Sequence, residues 1–175
     1  MLRSQRGMTI TELLVASAFG LYLTAGVFAF SSFFTNAQYE YQSHIELTND
    51  ARLVLDKMVW GDKLAGQANR RGIAEASTGT LTSASQFDYT DVSGVAHTIR
   101  LNGGNIEYRY GAAGTWQTLL DANGSPVYDP TKYTMSLAFT QPANPNSVNV
   151  RVVGKKILSK WYYGSVATQV FYRNA

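Results

Sequence analysis

Arg3–Phe34 reads RSQRGMTITELLVASAFGLYLTAGVFAFSSFF, a short basic leader ending in Gly7 that runs straight into an apolar stretch carrying one acid, Glu12. From Leu13 through Tyr39 there is no Asp, Glu, Lys or Arg. A helix crosses a bilayer with about 20 apolar residues at about 1.5 Å each, so the stretch is long enough to span. Arg3 and Arg6 precede it. Positive charge beside a spanning segment resists translocation, which favours a cytoplasmic N-terminus and an exported remainder.

Glu12 is the anomaly of this segment. A carboxylate within an apolar helix costs about 2.5 to 3.5 kcal/mol at the bilayer centre and less near an interface, so it marks a functional position with a partner to be named. Cleavage after Gly7 creates the nearest candidate, an α-amine on Met8. That amine lies one helical turn from Glu12, within reach of a charge pair inside a chain or between neighbours.

The run Arg6, Gly7, Met8, Thr9, Ile10, Thr11, Glu12, Leu13, Leu14 and Val15 resembles the cleavage and methylation signature of type IV prepilins and of type II secretion pseudopilins. The resemblance implies that a membrane-bound aspartic prepilin peptidase cuts after Gly7 and methylates the amine of Met8. It also implies that Glu12, fifth in the mature chain, pairs with the N-terminal amine of an adjacent subunit during filament assembly. Two features depart from the family pattern: Met8 stands where phenylalanine is commonest, and the apolar helix has no proline, which leans towards a minor subunit or a pseudopilin. A secretory signal with Ala16-Ser17-Ala18 as its cut site competes, but the apolar run continues past it to Phe34. A plain membrane anchor accounts for the hydrophobicity but not for Gly7 and Glu12 together.

Composition bounds the remainder. The chain has 175 residues, room for one membrane helix and one small exported domain. Its formal charge is +3, but two of the 15 basic side chains sit in the leader, leaving 13 against 12 acidic ones and a net charge of +1. No global attraction to nucleic acid follows. Cysteine is absent, which removes disulfides, thiol catalysis and thiolate metal sites.

Leu47, Ala51, Val54, Leu55 and Met58 recur at spacings of three and four, the stripe of an amphipathic helix, with Glu46, Asp50, Arg52, Asp56 and Lys57 on other faces. The pattern predicts one helix from about Thr9 to Leu64, capped near Gly66, whose second half packs under a sheet. Small polar residues predict a loop from Gly66 to Thr80. Strands are expected at Phe87–Thr90, Thr98–Leu101, Ile106–Tyr110, Trp116–Leu120, Met135–Thr140, Val148–Val153 and Val166–Tyr172, with turns at Ser93-Gly94 and Gly103-Gly104. A long loop is expected over Asp121–Lys132. The expected organisation is a cleaved leader (1–7), a membrane and filament-core helix (8–38), an amphipathic helix (39–65) and a β-rich periplasmic head (66–175). The fold class is α+β and pilin-like, a long N-terminal helix packed on an antiparallel sheet.

Candidate catalytic and metal sites are not found. His44 and His97 lie on different elements without an acid or second ligand at a metal-binding spacing, and read as surface or sheet residues. Asp121, Asn123 and Asp129 lack the ligand spacing of a calcium loop and read as turn chemistry. No cofactor is expected. Lys155, Lys156, Lys160 and Trp161 combine basic and aromatic residues, a pattern that can bind single-stranded nucleic acid by charge and stacking. A solvated loop with partly packed aromatics is the better account of them, so DNA is a possible partner but not an indicated one.

The resulting expectation is a structural subunit, not an enzyme: a minor pilin or minor pseudopilin. Asn49–Leu64 and Val170–Asn174 are similar to the corresponding parts of J-type pseudopilins and W-type minor pilins. The resemblance implies as partners other pilin or pseudopilin subunits, the prepilin peptidase, the lipid bilayer, and the inner-membrane assembly platform with its ATPase. Alternatives are a major pilin, a DNA-uptake pilin, or a membrane-anchored periplasmic binding domain unrelated to filaments.

Overall fold

The structure, a computed structural model, describes residues 8–62, 70–119, 128, 129, 131, 133–156 and 163–172. The chain divides into two compact units, residues 1–42 and 43–175. The helix α1 (Ile10–Trp60) contributes to both.

In the first unit α1 carries no charged side chain from Leu13 to Tyr39 and is predominantly apolar up to Phe34, and every residue from Met8 to Gln42 is exposed. Its best 18-residue window has a mean hydropathy of 2.0, so the helix is long and apolar enough to cross a membrane.

In the second unit α1 ends at Trp60, where Gly61 takes a left-handed φ of 78° that costs a glycine little. Short strands β1 (Gly61–Asp62) and β2 (Arg70–Arg71) pair antiparallel, and a 3-10 turn follows at Ile73–Glu75. A five-stranded antiparallel meander comes next: β3 (Ala76–Ser83), β4 (Gln86–Asp91), β5 (Ala96–Asn102), β6 (Asn105–Tyr110) and β7 (Trp116–Thr118). A second meander closes the head, with β8 (Tyr133–Thr140), β9 (Ser147–Lys156) and β10 (Tyr163–Phe171) in the order β10-β9-β8. Both predicted glycine turns form, with φ of 80° at Gly94, 57° at Gly103 and 84° at Gly104.

The core is built by two periodicities meeting. Leu47, Ala51, Val54, Leu55 and Met58, the stripe read from the sequence, are all buried. Alternate residues of the strands face the same interior: Phe87, Tyr89, Ile99, Ile106 and Tyr108 from the larger sheet, and Met135, Leu137, Phe139, Val148, Val150 and Val152 from the smaller. Phe87 stacks on Phe139 at 5.5 Å between centroids, and the N–H of Phe139 donates to the carbonyl of Ala84 at 2.7 Å, tying the two sheets together.

Where α1 crosses the smaller sheet, two glycines face each other on neighbouring strands, Gly154 on β9 and Gly164 on β10. A Cβ on Gly164 would lie 2.6 Å from the backbone of Leu47 and Thr48, and one on Gly154 would lie 3.1 Å from the Leu47 side chain. The helix backbone therefore rests in a notch that only glycine leaves open.

This is the α+β arrangement expected, with four corrections. The helix stops at Trp60 rather than Leu64, because Gly61 offers a left-handed cap first; Gly66 lies outside the described residues. The predicted loop at 66–80 holds β3 from Ala76 onward, since its threonines suit an edge strand with one solvated face. The strands form two packed sheets and a small ribbon instead of one sheet. The last hairpin is longer than expected, β9 reaching Lys156 and β10 starting at Tyr163.

Candidate functional site

The N-terminus of α1 is closed by a reciprocal cap. The N–H and the hydroxyl of Thr9 both donate to Glu12 Oε2 at 2.9 Å, and the Glu12 N–H donates back to Thr9 Oγ1 at 3.2 Å. The pattern Thr-Ile-Thr-Glu is a capping box, in which a first-turn acid and a capping hydroxyl satisfy each other's unpaired donors. The signal is local and legible in the sequence, since Thr9 and Glu12 stand three residues apart. Glu12 thus has a partner within its own chain, while Oε1 accepts no hydrogen bond among the described residues. Met8 is exposed; Arg3, Arg6 and Gly7 lie outside the described residues.

Downstream, three hydroxyls of the apolar segment are satisfied along the helix itself. Ser17, Thr24 and Thr35 donate to the carbonyls of Leu13, Gly20 and Ser31 at 2.7, 2.7 and 2.9 Å. Such back-bonding is what a hydroxyl needs where water is absent.

The head contains one buried acid–imidazole pair. Asp91 Oδ2 lies 3.3 Å from His97 Nε2 and 3.5 Å from Arg71 Nε, and its Oδ1 accepts the N–H groups of Ser93 and Val95 at 2.8 and 2.9 Å. Burial pushes the Asp91 carboxyl upward, but the Val95 N–H, His97 and the Ser93 N–H outweigh it and hold the group below the usual range. His97 Nδ1 sits 2.9 Å from the Tyr108 hydroxyl, and Tyr89 stacks on the ring at 4.8 Å. His97 is therefore a sheet residue as expected, but it does have an acid partner, reached across the β4–β5 turn. Both are buried, and the pair braces that hairpin.

A second polar cluster joins α1 to the smaller sheet. The Tyr133 hydroxyl donates to Glu46 at 3.0 Å, and Lys156 Nζ donates to Ser43 Oγ at 3.1 Å. Burial, the bond to Glu46 and the charges of Glu46, Asp50 and Asp129 push the Tyr133 phenol up to about 12. Burial and then Glu46 raise the Asp50 carboxyl as well. A raised carboxyl means the folded state holds its proton longer than the unfolded chain, so Asp50 costs stability once the pH rises above its ordinary value of 3.8. Asp50→Asn is expected to raise the unfolding midpoint at pH 7, with the gain shrinking to nothing as the pH falls below about 4; a gain independent of pH in thermal unfolding would refute the electrostatic cause.

The basic–aromatic cluster is not one patch. Lys155 is exposed on the outer face of β9, 6.0 Å from the Tyr163 ring, while Lys156, its neighbour in the strand, points to the opposite face and binds Ser43. Lys160 and Trp161 lie outside the described residues, as do Asp121 and Asn123. Asp129 accepts the N–H and hydroxyl of Thr131 at 2.9 and 2.6 Å, the turn chemistry expected of it. Among the described residues no group of three or more His, Cys, Asp or Glu side chains is placed to hold a metal ion.

No family profile, curated protein or solved structure matches this chain.

Proposed function

We propose that the chain is a structural subunit of a membrane-assembled filament, a minor pilin or minor pseudopilin of a type IV pilus or type II secretion system. The observation that carries this reading is the order of its N-terminal parts. A basic leader ends at Gly7, an acid follows at Glu12, and an exposed apolar helix continues as the stripe of an antiparallel head. On this reading Met8 becomes the methylated N-terminus and the helix first anchors the subunit in the inner membrane, leader cytoplasmic and head periplasmic. The helix then leaves the membrane for the filament core, driven by the assembly platform and its ATPase. The subunit's own contribution is packing and charge pairing with other subunits, without a reaction at the head.

Processing tests the reading directly. Intact-mass analysis of membrane-extracted protein is expected to show a chain starting at Met8 and heavier by one methyl group. Gly7→Val should leave full-length precursor, because the bulkier side chain enters the peptidase site where only glycine fits. Normal cleavage of Gly7→Val, or wild-type protein retaining Met1, would overturn the proposal in favour of a plain anchor.

A further inference from the structure

Among the described residues, the four edges of the two larger sheets are not alike. β7 is only three residues long, and β3 is interrupted by two register shifts. The free side of β8 turns to the larger sheet, where Phe139 bonds Ala84. Each of these is a way of blunting an edge against further pairing. β10 has none of them: its nine residues, YGSVATQVF, pair in unbroken register with β9 and include no charge and no proline. Among the described residues no strand or backbone hydrogen bond reaches its other side. Along its C-terminal half, where the 3-10 turn Ile73–Glu75 approaches, runs a groove of about 340 Å³ between Thr168–Phe171 and Leu55, Asp56, Val59 and Ala74, with Asp56 as its one charged side chain. Trp60, 69% exposed, and Phe171, 58% exposed, flank it.

We propose that β10 is a strand-addition site, which takes an uncharged extended segment of a different polypeptide chain as the fourth strand of the smaller sheet. The open row of amides and carbonyls selects an extended backbone, and the groove selects an apolar side chain at every second residue. A second copy of this chain does not fit. Antiparallel pairing of β10 with another β10 has a two-fold axis perpendicular to the sheet, which reverses the α1 segment lying along β10. Two copies anchored through the same end of α1 would then face opposite ways. The site rests on the edge of β10, and the exclusion of a second copy on the anchoring through α1 proposed above; both stand whether or not the chain enters a filament.

The test uses the full chain in detergent micelles and a capped synthetic peptide of the sequence YGSVATQVF. This probe lacks α1, and in antiparallel pairing it sets its tyrosine against Phe171 and its phenylalanine against Tyr163, favourable cross-strand pairs. Amide hydrogen exchange at alternate residues of β10 should slow at least tenfold on adding peptide, with a blue shift of tryptophan emission. Of Ala167→Pro and Thr168→Pro, the one that removes an outward N–H should keep the fold and bind the peptide at least tenfold more weakly. Unchanged exchange in β10 at the highest peptide concentration would overturn the proposal, even if the emission shifts. So would protection of the outward amides before peptide is added, whether constant, from the chain's own segments, or rising with protein concentration, from a second copy.

Discussion

Gly164→Val is expected to separate α1 from the smaller sheet and lower the thermal midpoint of the head by about 10 °C or more. The added Cβ would lie 2.6 Å from the α1 backbone at Leu47–Thr48, where no rotamer change relieves the clash, so either the helix lifts or the strand bends. Lifting exposes the stripe of Leu47, Ala51 and Val54, and the loss falls in the range of about 4 kcal/mol or more reserved for gross core damage. Gly154→Ala should be far milder, since its Cβ meets the movable end of the Leu47 side chain at 3.1 Å. Ser165→Val, on the same strand but facing outward, serves as the control, within about 0.5 kcal/mol of wild type. A Gly164→Val protein that melts with the wild type would show that the helix does not lie in the glycine notch.

The second large effect concerns Glu12, whose observed cap and proposed assembly charge a pair of substitutions separates. Glu12→Ala removes both the charge and the reciprocal cap, whereas Glu12→Gln keeps a side chain that completes a capping box and removes only the charge. The cap bears on the first helical turn alone. If Glu12 acts in assembly through its charge, both variants should reach the membrane at wild-type levels and fall at least tenfold in the filament fraction. Full assembly of Glu12→Gln with failure of Glu12→Ala would assign the residue to helix capping alone. Full assembly of both would remove it from the assembly contact altogether.

Local periodicity was the legible part of the fold. The α1 stripe showed in the sequence because its members recur at three and four, and β9 showed through the alternation of Val148, Val150 and Val152. The turns at Gly94 and Gly103-Gly104 announced themselves because few other residues accept a positive φ. What stayed hidden depends on distant partners. β3 was missed because Ser, Thr and Gly describe a solvated edge strand and a loop equally well, and only contact with β4 decides between them. Gly164 reads in isolation as a weak point in a strand, and its purpose appears only when Leu47 lies over it. Asp91 and His97 are six residues apart, a spacing with no helical or metal-site meaning, and the hairpin turn brings them together. At the candidate site, Thr9 and Glu12 were in plain view at capping-box spacing, a local signal set aside in favour of a longer-range one.

The back-bonded hydroxyls of Ser17, Thr24 and Thr35 bear on what α1 can recognise. Each carries its acceptor with it, so moving the segment between two apolar surroundings neither breaks a hydrogen bond nor leaves one to be made. Lipid tails and the side chains of neighbouring helices are then close to equivalent hosts, and what distinguishes them is shape. For any helix that packs on this stretch, the bulk of Phe19, Tyr22, Phe30 and Phe34 beside the hollows at Gly20 and Gly26 is a steric code to which Ser17, Thr24 and Thr35 add no polar letters.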